Sequence, residues 1–234
     1  MVEEHTTQGD ASHPTAVGVI MDGNRRWAQG RGKPVTEGHR AGYGKLKEVV
    51  EWCKEGGVYD LVVYAFSTEN WRRAEEEVGG LMQLMRHVLE HELAELRSHD
   101  VAVRVVGNLA RFPEDLQQSI ARLHETNSPD AQYRLWVCAS YGGRAEIVDA
   151  AAKLVRVGGE VTEARFTEAL WSHGMPDPDL VVRTGGQQRL SNFLPWQSVY
   201  SELFFLDTLW PDFSRNEWNA VLAEYGERKR NFGA

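Results

Sequence analysis

Cysteine is scarce: Cys53 and Cys138 are the only two in 234 residues, and they lie far apart in apolar segments with no CxxC and no Cys/His cluster. A disulfide framework and a structural zinc site are thereby excluded, and a reduced, cytoplasmic protein is expected. Long hydrophobic runs are missing too. Nothing approaches the ~18–20 apolar residues of a membrane span, and no secretory leader is visible. Positive charge is in deficit, with 26 Lys and Arg against 34 Asp and Glu and a net charge of −8. That balance argues against nucleic acid as the main partner but leaves room for local basic patches that hold small phosphates. The phosphate-loop pattern GxxxxGK[ST], the dinucleotide pattern GxGxxG and the zinc pattern HExxH are all absent. The length suits one α/β domain with a real core, here 14–234, preceded by a polar, aperiodic tail over 1–13 expected to be disordered. Eight tryptophans are present, suited to an apolar binding surface or equally to a core.

The stretch from Val17 to Trp27 organises the chain. An apolar run from Val17 to Met21 reads as a short buried strand, and it gives way to Asp22, Gly23, Asn24, Arg25, Arg26 and Trp27. In open α/β sheets ligands bind beyond the carboxyl ends of strands, where backbone N–H groups at a helix start favour anions. Asn24 is a candidate cap for that helix. Asp22 among arginines is the odd member, since an acid inside an anion site implies a cation bridging it to phosphate. The bland alternative is an Asx-turn with surface arginines.

Further along, Gly38–Trp52 reads as a helix whose first turns carry His39, Arg40, Gly42 and Gly44, the glycines suggesting close approach of another backbone or a ligand. Leu61–Phe66 reads as a second buried strand, running into Ser67, Thr68, Glu69, Asn70, Trp71, Arg72 and Arg73. Two successive strands ending in loops rich in Asn and Arg carry more weight than either alone, because a βαβ unit places both loops on one edge. A long amphipathic helix is expected over Val78–Ser98, its apolar arc wide enough to line a cavity as well as pack on a sheet. Strands follow at Val101–Val106, Tyr133–Ser140, Asp179–Arg183 and Glu202–Leu206, with helices at Pro113–Leu123, Ala145–Val155 and Glu163–Trp171. The fourth strand turns through Tyr141, Gly142, Gly143 and Arg144. The fifth leads into Arg183, Thr184, Gly185, Gly186, Gln187, Gln188, Arg189, Leu190, Ser191 and Asn192, again suited to phosphate. Ser214 and Glu217 form a capping box for a last helix ending at Arg228–Arg230. Neither an adjacent Asp pair nor the second Asp that a haloacid-dehalogenase-type phosphatase needs two residues after Asp22 is present. What remains is a site for one or two diphosphates, a divalent cation, and an apolar region beside them.

MDGNRRW, GHRAG, YAFSTENW, YGGR, RTGG-x-QRLSNFLPWQ, YSELFF and LWPDF, in that order from about His13 to Gly233, resemble the cis-prenyltransferases, typified by undecaprenyl diphosphate synthase. The resemblance implies a homodimer, each subunit an α/β domain with a twisted, mostly parallel six-stranded sheet flanked by helices around an apolar tunnel. It implies condensation of isopentenyl diphosphate with an allylic diphosphate such as farnesyl or geranyl diphosphate, with Mg²⁺ and a new Z double bond each cycle. Carried over by motif, Asp22 is the metal carboxylate, and Gly23, Asn24, Arg25 and Arg26 cradle the allylic diphosphate with His39 and Arg73. Trp27 and Trp71, within the same motifs, join the substrate-binding set. Asn70 and Ser67 belong to the group linked to proton removal. Arg183, Arg189 and Ser191 hold isopentenyl diphosphate, and Glu202 is the second metal carboxylate.

Three positions depart from the family pattern: Val35 and Asn231 stand where arginines are usual, and Gln187 where a Glu is usual. All three remove charge near the diphosphates. An undecaprenyl-type product is favoured, a short- or medium-chain product is the alternative, and a non-catalytic partner subunit is the rival of another class. Product length should be set by the tunnel floor, expected between the Val78–Ser98 helix and the strands Leu61–Phe66 and Tyr133–Ser140. Met85, Leu89, Glu92 and Leu135 are the candidates, with the facing of Trp136 unassigned. Peripheral membrane contact for product release completes the expectations.

Overall fold

The computed structural model describes residues 13–92 and 100–228, apart from the side chains of 91 and 92. Six strands form one sheet in the order β3-β4-β2-β1-β5-β6. They are β1 (Ala16–Ile20), β2 (Asp60–Ser67), β3 (Val101–Val106), β4 (Tyr133–Tyr141), β5 (Leu180–Arg183) and β6 (Glu202–Phe205). Every pairing is parallel, so the expected mostly parallel sheet is parallel throughout. The seven α-helices among the described residues are α1 (Asn24–Gln29), α2 (Val35–Glu55), α3 (Glu75–His87), α4 (Glu114–Glu125), α5 (Gly143–Val157), α6 (Glu163–Ala169) and α7 (Arg215–Glu227).

Strands buried on both faces read as unbroken apolar runs, and all five residues of β1 are buried. Alternation still decides which core each side chain joins. Val17, Val19, Leu61, Val63 and Leu135 enter one cluster, which α2, α4 and α7 complete with Leu46, Leu116 and Trp218. Ile20, Val62, Trp136 and Val181 enter the other, against Phe193 and Leu194. Trp136 thus faces away from its neighbour Leu135, and its indole N–H donates to Asp60 at 2.8 Å. Most of the described tryptophans serve as core or as struts rather than as a binding surface.

The expected Val78–Ser98 helix differs in detail. It starts at Glu75, and its α-helical part ends at His87; a π-helical turn takes over from Val88 to Glu92, a distortion of the kind that widens a helix locally. Its remainder, from 93 to 99, lies outside the described residues, as do the tail at 1–12, the stretch from 229 including Asn231, and the side chain of Glu92.

Because the sheet is parallel, the ends of β1, β2, β4 and β5 emerge along one edge. Asp22, the Ser67–Arg73 loop, Tyr141–Gly143 and the Arg183–Asn192 loop therefore converge there.

Candidate active site

Gly23, with φ of 118°, caps α1. A Cβ there would lie 2.9 Å from Leu209, so both conformation and space demand glycine. Asn24 is consequently the first helical residue, not the cap, and its side chain turns inward onto α2, where a Cβ on Gly42 would sit 2.4 Å from its Oδ1. Gly42 thus marks a close approach, as expected, whereas Gly44 has open space beside it.

Asp22 is held from several segments of the chain. Its carbonyl accepts from Thr184 Oγ1 at 2.8 Å and from the Trp210 amide at 3.0 Å. Arg26 donates to its Oδ1 at 3.1 Å and Arg183 to its Oδ2 at 2.9 Å. Arg183 is buried, and its other terminal nitrogen reaches the Ser191 hydroxyl at 2.8 Å and the Arg189 carbonyl. A second knot gathers around Glu77 of α3: Arg73 donates to it at 2.8 Å, with Arg25 at 3.6 Å and His39 at 3.7 Å. Burial lowers the His39 pKa; Glu77 opposes this, and Arg73 and Arg25 reinforce it. The loop after β2 is locked locally, the Ser67 amide donating to Asn70 Oδ1 at 3.0 Å in a capping box.

These side chains surround a cleft of about 900 Å³. Of the sequence-derived candidates, Asp22, Gly23, Asn24, Arg25, Arg26, His39, Ser67, Asn70, Arg73, Arg183 and Ser191 line it. Four do not. The Trp27 indole donates to Asp212 at 2.7 Å, with Arg31 4.4 Å over its ring, pinning α1 from outside. The Trp71 indole donates to Ser140 Oγ at 3.0 Å and packs on Phe66 and Phe112, bracing the loop from behind. Arg189 is exposed and bonds Gln187 at 2.6 Å. Glu202 stands at the opposite sheet edge, in register with Leu180 and so with Val17, bonded to Arg228 at 2.7 Å. Five residues at ~3.3 Å each put it roughly 16 Å from Asp22 along the strand direction alone. One chain therefore does not bring the two carboxylates together.

Sequence reasoning missed Tyr64 and gave Glu69 and Asn192 only as members of their loops, though all three line the cleft; it also missed Glu77 behind it. The Arg73–Glu77 spacing of four was the available signal for Glu77. Tyr64 stacks on Phe193 at 4.9 Å; burial, then the nearby Glu69, push its pKa up. Burial alone would raise the Glu69 pKa, but hydrogen bonds from its own amide, Asn192, Ser67 and Thr68 hold it below the ordinary carboxylate value.

Beside the cleft lies an apolar cavity of about 160 Å³. It shares Met21, Asn24, His39, Ala65 and Leu81 with the cleft as a common wall. Met85, Leu89 and Leu135 line it, and Trp136 does not. The far wall includes α2, through Tyr43, Leu46 and Val50, so the cavity lies between α2 and α3 over the sheet.

A cation fits at Asp22 on the chemistry of its donors. Mg²⁺ takes one or two carboxylates and completes its shell with phosphate and water, and Asp22 presents one carboxylate to an arginine-lined cleft. Among the described residues no three His, Cys, Asp or Glu side chains gather into an all-protein cage.

The family profile described as "Putative undecaprenyl diphosphate synthase" matches residues 20–233. The chain belongs to this family of cis-prenyltransferases. As a member it is a transferase of prenyl groups. It is 45% identical over 221 residues to an isoprenyl transferase of Chromobacterium violaceum, covering 94% of this chain and 88% of the relative. It is 39% identical over 239 residues to the ditrans,polycis-undecaprenyl-diphosphate synthase, (2E,6E)-farnesyl-diphosphate specific, of Pseudomonas syringae, covering 99% and 95%. The crystal structure of lavandulyl diphosphate synthase from Lavandula x intermedia, in complex with dimethylallyl diphosphate, superimposes with a TM-score of 0.88 at 33% identity, covering 96% of this chain and all of that one.

Proposed function

We propose that residues 14–234 form a single catalytic domain that joins isopentenyl diphosphate to an allylic diphosphate, forming a Z double bond, in a Mg²⁺-dependent reaction. The observation that carries this reading is the common wall: a cleft of arginines around Asp22 opens beside an apolar cavity. A molecule with a diphosphate head and a hydrocarbon tail fits across that boundary.

Arg25, Arg26, His39 and Arg73 face the allylic diphosphate, and Arg183 and Ser191 the isopentenyl diphosphate. As the allylic carbon–oxygen bond breaks, charge builds on the departing phosphate oxygens, and fixed arginine donors stabilise it more than they stabilise the ground state. Asp22 would hold the cation, whose charge when bound would add to that stabilisation. Asn70, its carbonyl already engaged by the Ser67 amide, has its amide donors left to orient the isopentenyl unit as its proton passes to an oxygen of the departing diphosphate. The cavity wall is largely apolar, and each CH₂ of the chain buried there adds ~0.8 kcal/mol.

The names of several bacterial relatives, the Pseudomonas syringae enzyme among them, support an undecaprenyl-type product. A short-chain product is the second reading, and cavity size favours it: about 160 Å³ is close to the ~150 Å³ that holds a benzene-sized guest. For a long product α2 and α3 must separate.

The exposed Val199, Tyr200 and Leu203 beside the Glu202–Arg228 pair support a homodimer, in which Glu202 would serve a metal only across subunits. No helix among the described residues is long and apolar enough to cross a membrane; we place the protein in the cytoplasm, touching the membrane peripherally to release product. The test is incubation with labelled isopentenyl diphosphate and C5, C10 or C15 primers, sizing the products with and without chelator. No extension of any primer, or full extension with excess chelator, overturns the reading.

A further inference from the structure

Behind the cleft, on the Trp136 side of the sheet, lies a buried carboxylate that the reaction above does not use. Glu146, in the first turn of α5, is completely buried. Its Oε2 accepts from the Tyr141 hydroxyl at 2.5 Å and from Gln197 Nε2 at 3.2 Å, and its Oε1 from the Ser172 amide at 2.8 Å. Gln197 also donates to Ser172 Oγ at 2.6 Å. A carboxylate removed from water is costly unless such donors surround it. Here they come from the end of β4, the segment after α6 and the segment after the Arg183–Asn192 loop.

That last segment is strained. Ser191, Asn192 and Leu194 have φ of 51°, 69° and 50°, a left-handed region that non-glycine residues occupy at some cost. It persists only where the surroundings over-determine it. Gly143 allows the approach, since a Cβ there would fall 1.9 Å from Pro195. The Gly143 amide donates to the Asn192 carbonyl at 2.9 Å and the Arg144 amide to Asn192 Oδ1 at 2.8 Å. Tyr64 donates to the carbonyls of Tyr141 at 3.2 Å and Ser191 at 3.4 Å.

We propose that Glu146 is a positioning residue: through Tyr141 and Gln197 it clamps the Ser191–Gln197 segment to β4, and so sets Ser191 and Arg183 for one of the two diphosphates. This rests on the proposed function, which assigns those two residues to isopentenyl diphosphate. The allylic side is built on α1, α2 and the Asn70–Arg73 loop; Asn192 reaches Glu69, just ahead of that loop, at 3.1 Å, but the partners of Glu146 itself, Tyr141, Ser172 and Gln197, lie outside it. Loosening the clamp should therefore weaken one substrate selectively.

The test uses Glu146→Gln, which keeps shape but turns one acceptor into a donor facing other donors, and Tyr141→Phe, which removes one donor and keeps the ring. Losing a charge-assisted hydrogen bond predicts a rise of about tenfold or more in KM for isopentenyl diphosphate in Glu146→Gln, and a smaller rise in Tyr141→Phe. KM for the allylic primer should stay within about twofold of wild type. If Glu146→Gln fails to fold, Tyr141→Phe decides alone. Equal rises for both substrates, a fall in kcat alone, or unchanged kinetics would overturn the proposal. Absence of transfer by the wild-type protein would overturn the proposed function instead, which keeps the two failures apart.

Discussion

The two edges of the sheet each carry an aspartate gripped by arginine, and they differ in what is left over. At the amino edge Asp60 takes both prongs of Arg134 at 2.6 Å and the Trp136 indole at 2.8 Å. That network is closed. At the carboxyl edge Asp22 is shared by Arg26 and Arg183, while Asn24 Oδ1 and Arg183 Nε are buried without hydrogen-bond partners. Buried polar atoms without partners are costly, and protein interiors keep few of them. A saturated ion pair is architecture; an unsaturated one is prepared for a ligand.

The sharpest way to break this contrast is to remove each aspartate in turn. Asp22→Ala should lower kcat about a thousandfold, about 4 kcal/mol of transition-state stabilisation, and should also lower the melting temperature, because it leaves the buried Arg183 without its carboxylate; initial rates and thermal melts check both halves. Asp60→Ala should cost stability alone: it leaves the buried Trp136 indole without its acceptor and the half-exposed Arg134 without its carboxylate, a loss of roughly 1–3 kcal/mol, with kcat per folded molecule unchanged, read by urea titration and steady-state kinetics.

Neighbours on β4 sharpen the comparison at a finer scale. Leu135→Ala enlarges the cavity and should shift products to longer chains, while Trp136→Phe, on the other face, should leave lengths unchanged; chromatography of extended products decides.

The smallest effect is one of pH. Burial first, then Arg104, lowers the His124 pKa, and neutral His124 accepts the Val105 amide at 2.9 Å. Burial lowers His39 as well. The unfolded chain therefore binds more protons than the folded one. This stability is fully present above the unfolded value near 6.5 and is lost as pH falls below it toward the folded values. Replacing His124 with Phe should flatten part of that slope and cost about 1 kcal/mol at pH 8, the net worth of one hydrogen bond; denaturant midpoints across pH 5–8 measure it.

The strand-end loops were legible in the sequence because apolar runs that stop at Asp, Ser or Arg have few other readings in a parallel sheet. Asp22, Asn70 and Arg183 followed from that rule together with the motifs. Trp27 and Trp71 did not, because motif membership does not separate a residue that touches a ligand from one that braces the loop. Glu202 opens its strand and so stands at the amino edge, in register with Leu180; motif membership alone did not show that one chain keeps it apart from Asp22. Asn24 looked like a cap because Asn favours that position, yet the chain needed φ of 118° one residue earlier, which Gly23 supplies. The facing of Trp136 required the parity of β4, which a sequence of apolar residues on both faces conceals.

Strand order carries a consequence for the chain's birth. β1 lies between β2 and β5, and the Asp22–Arg183 contact spans 161 residues. A nascent chain that has emerged only as far as β4 can zip β1, β2, β4 and β3 together, but leaves one rim of β1 as an unpaired, apolar edge of the sort that invites aggregation. Half of the diphosphate cradle is still unsynthesised at that moment. The closing of β5 onto β1 at once covers the sticky rim and assembles the arginine pair around Asp22, so a truncated message yields neither a safe fold nor a partial enzyme.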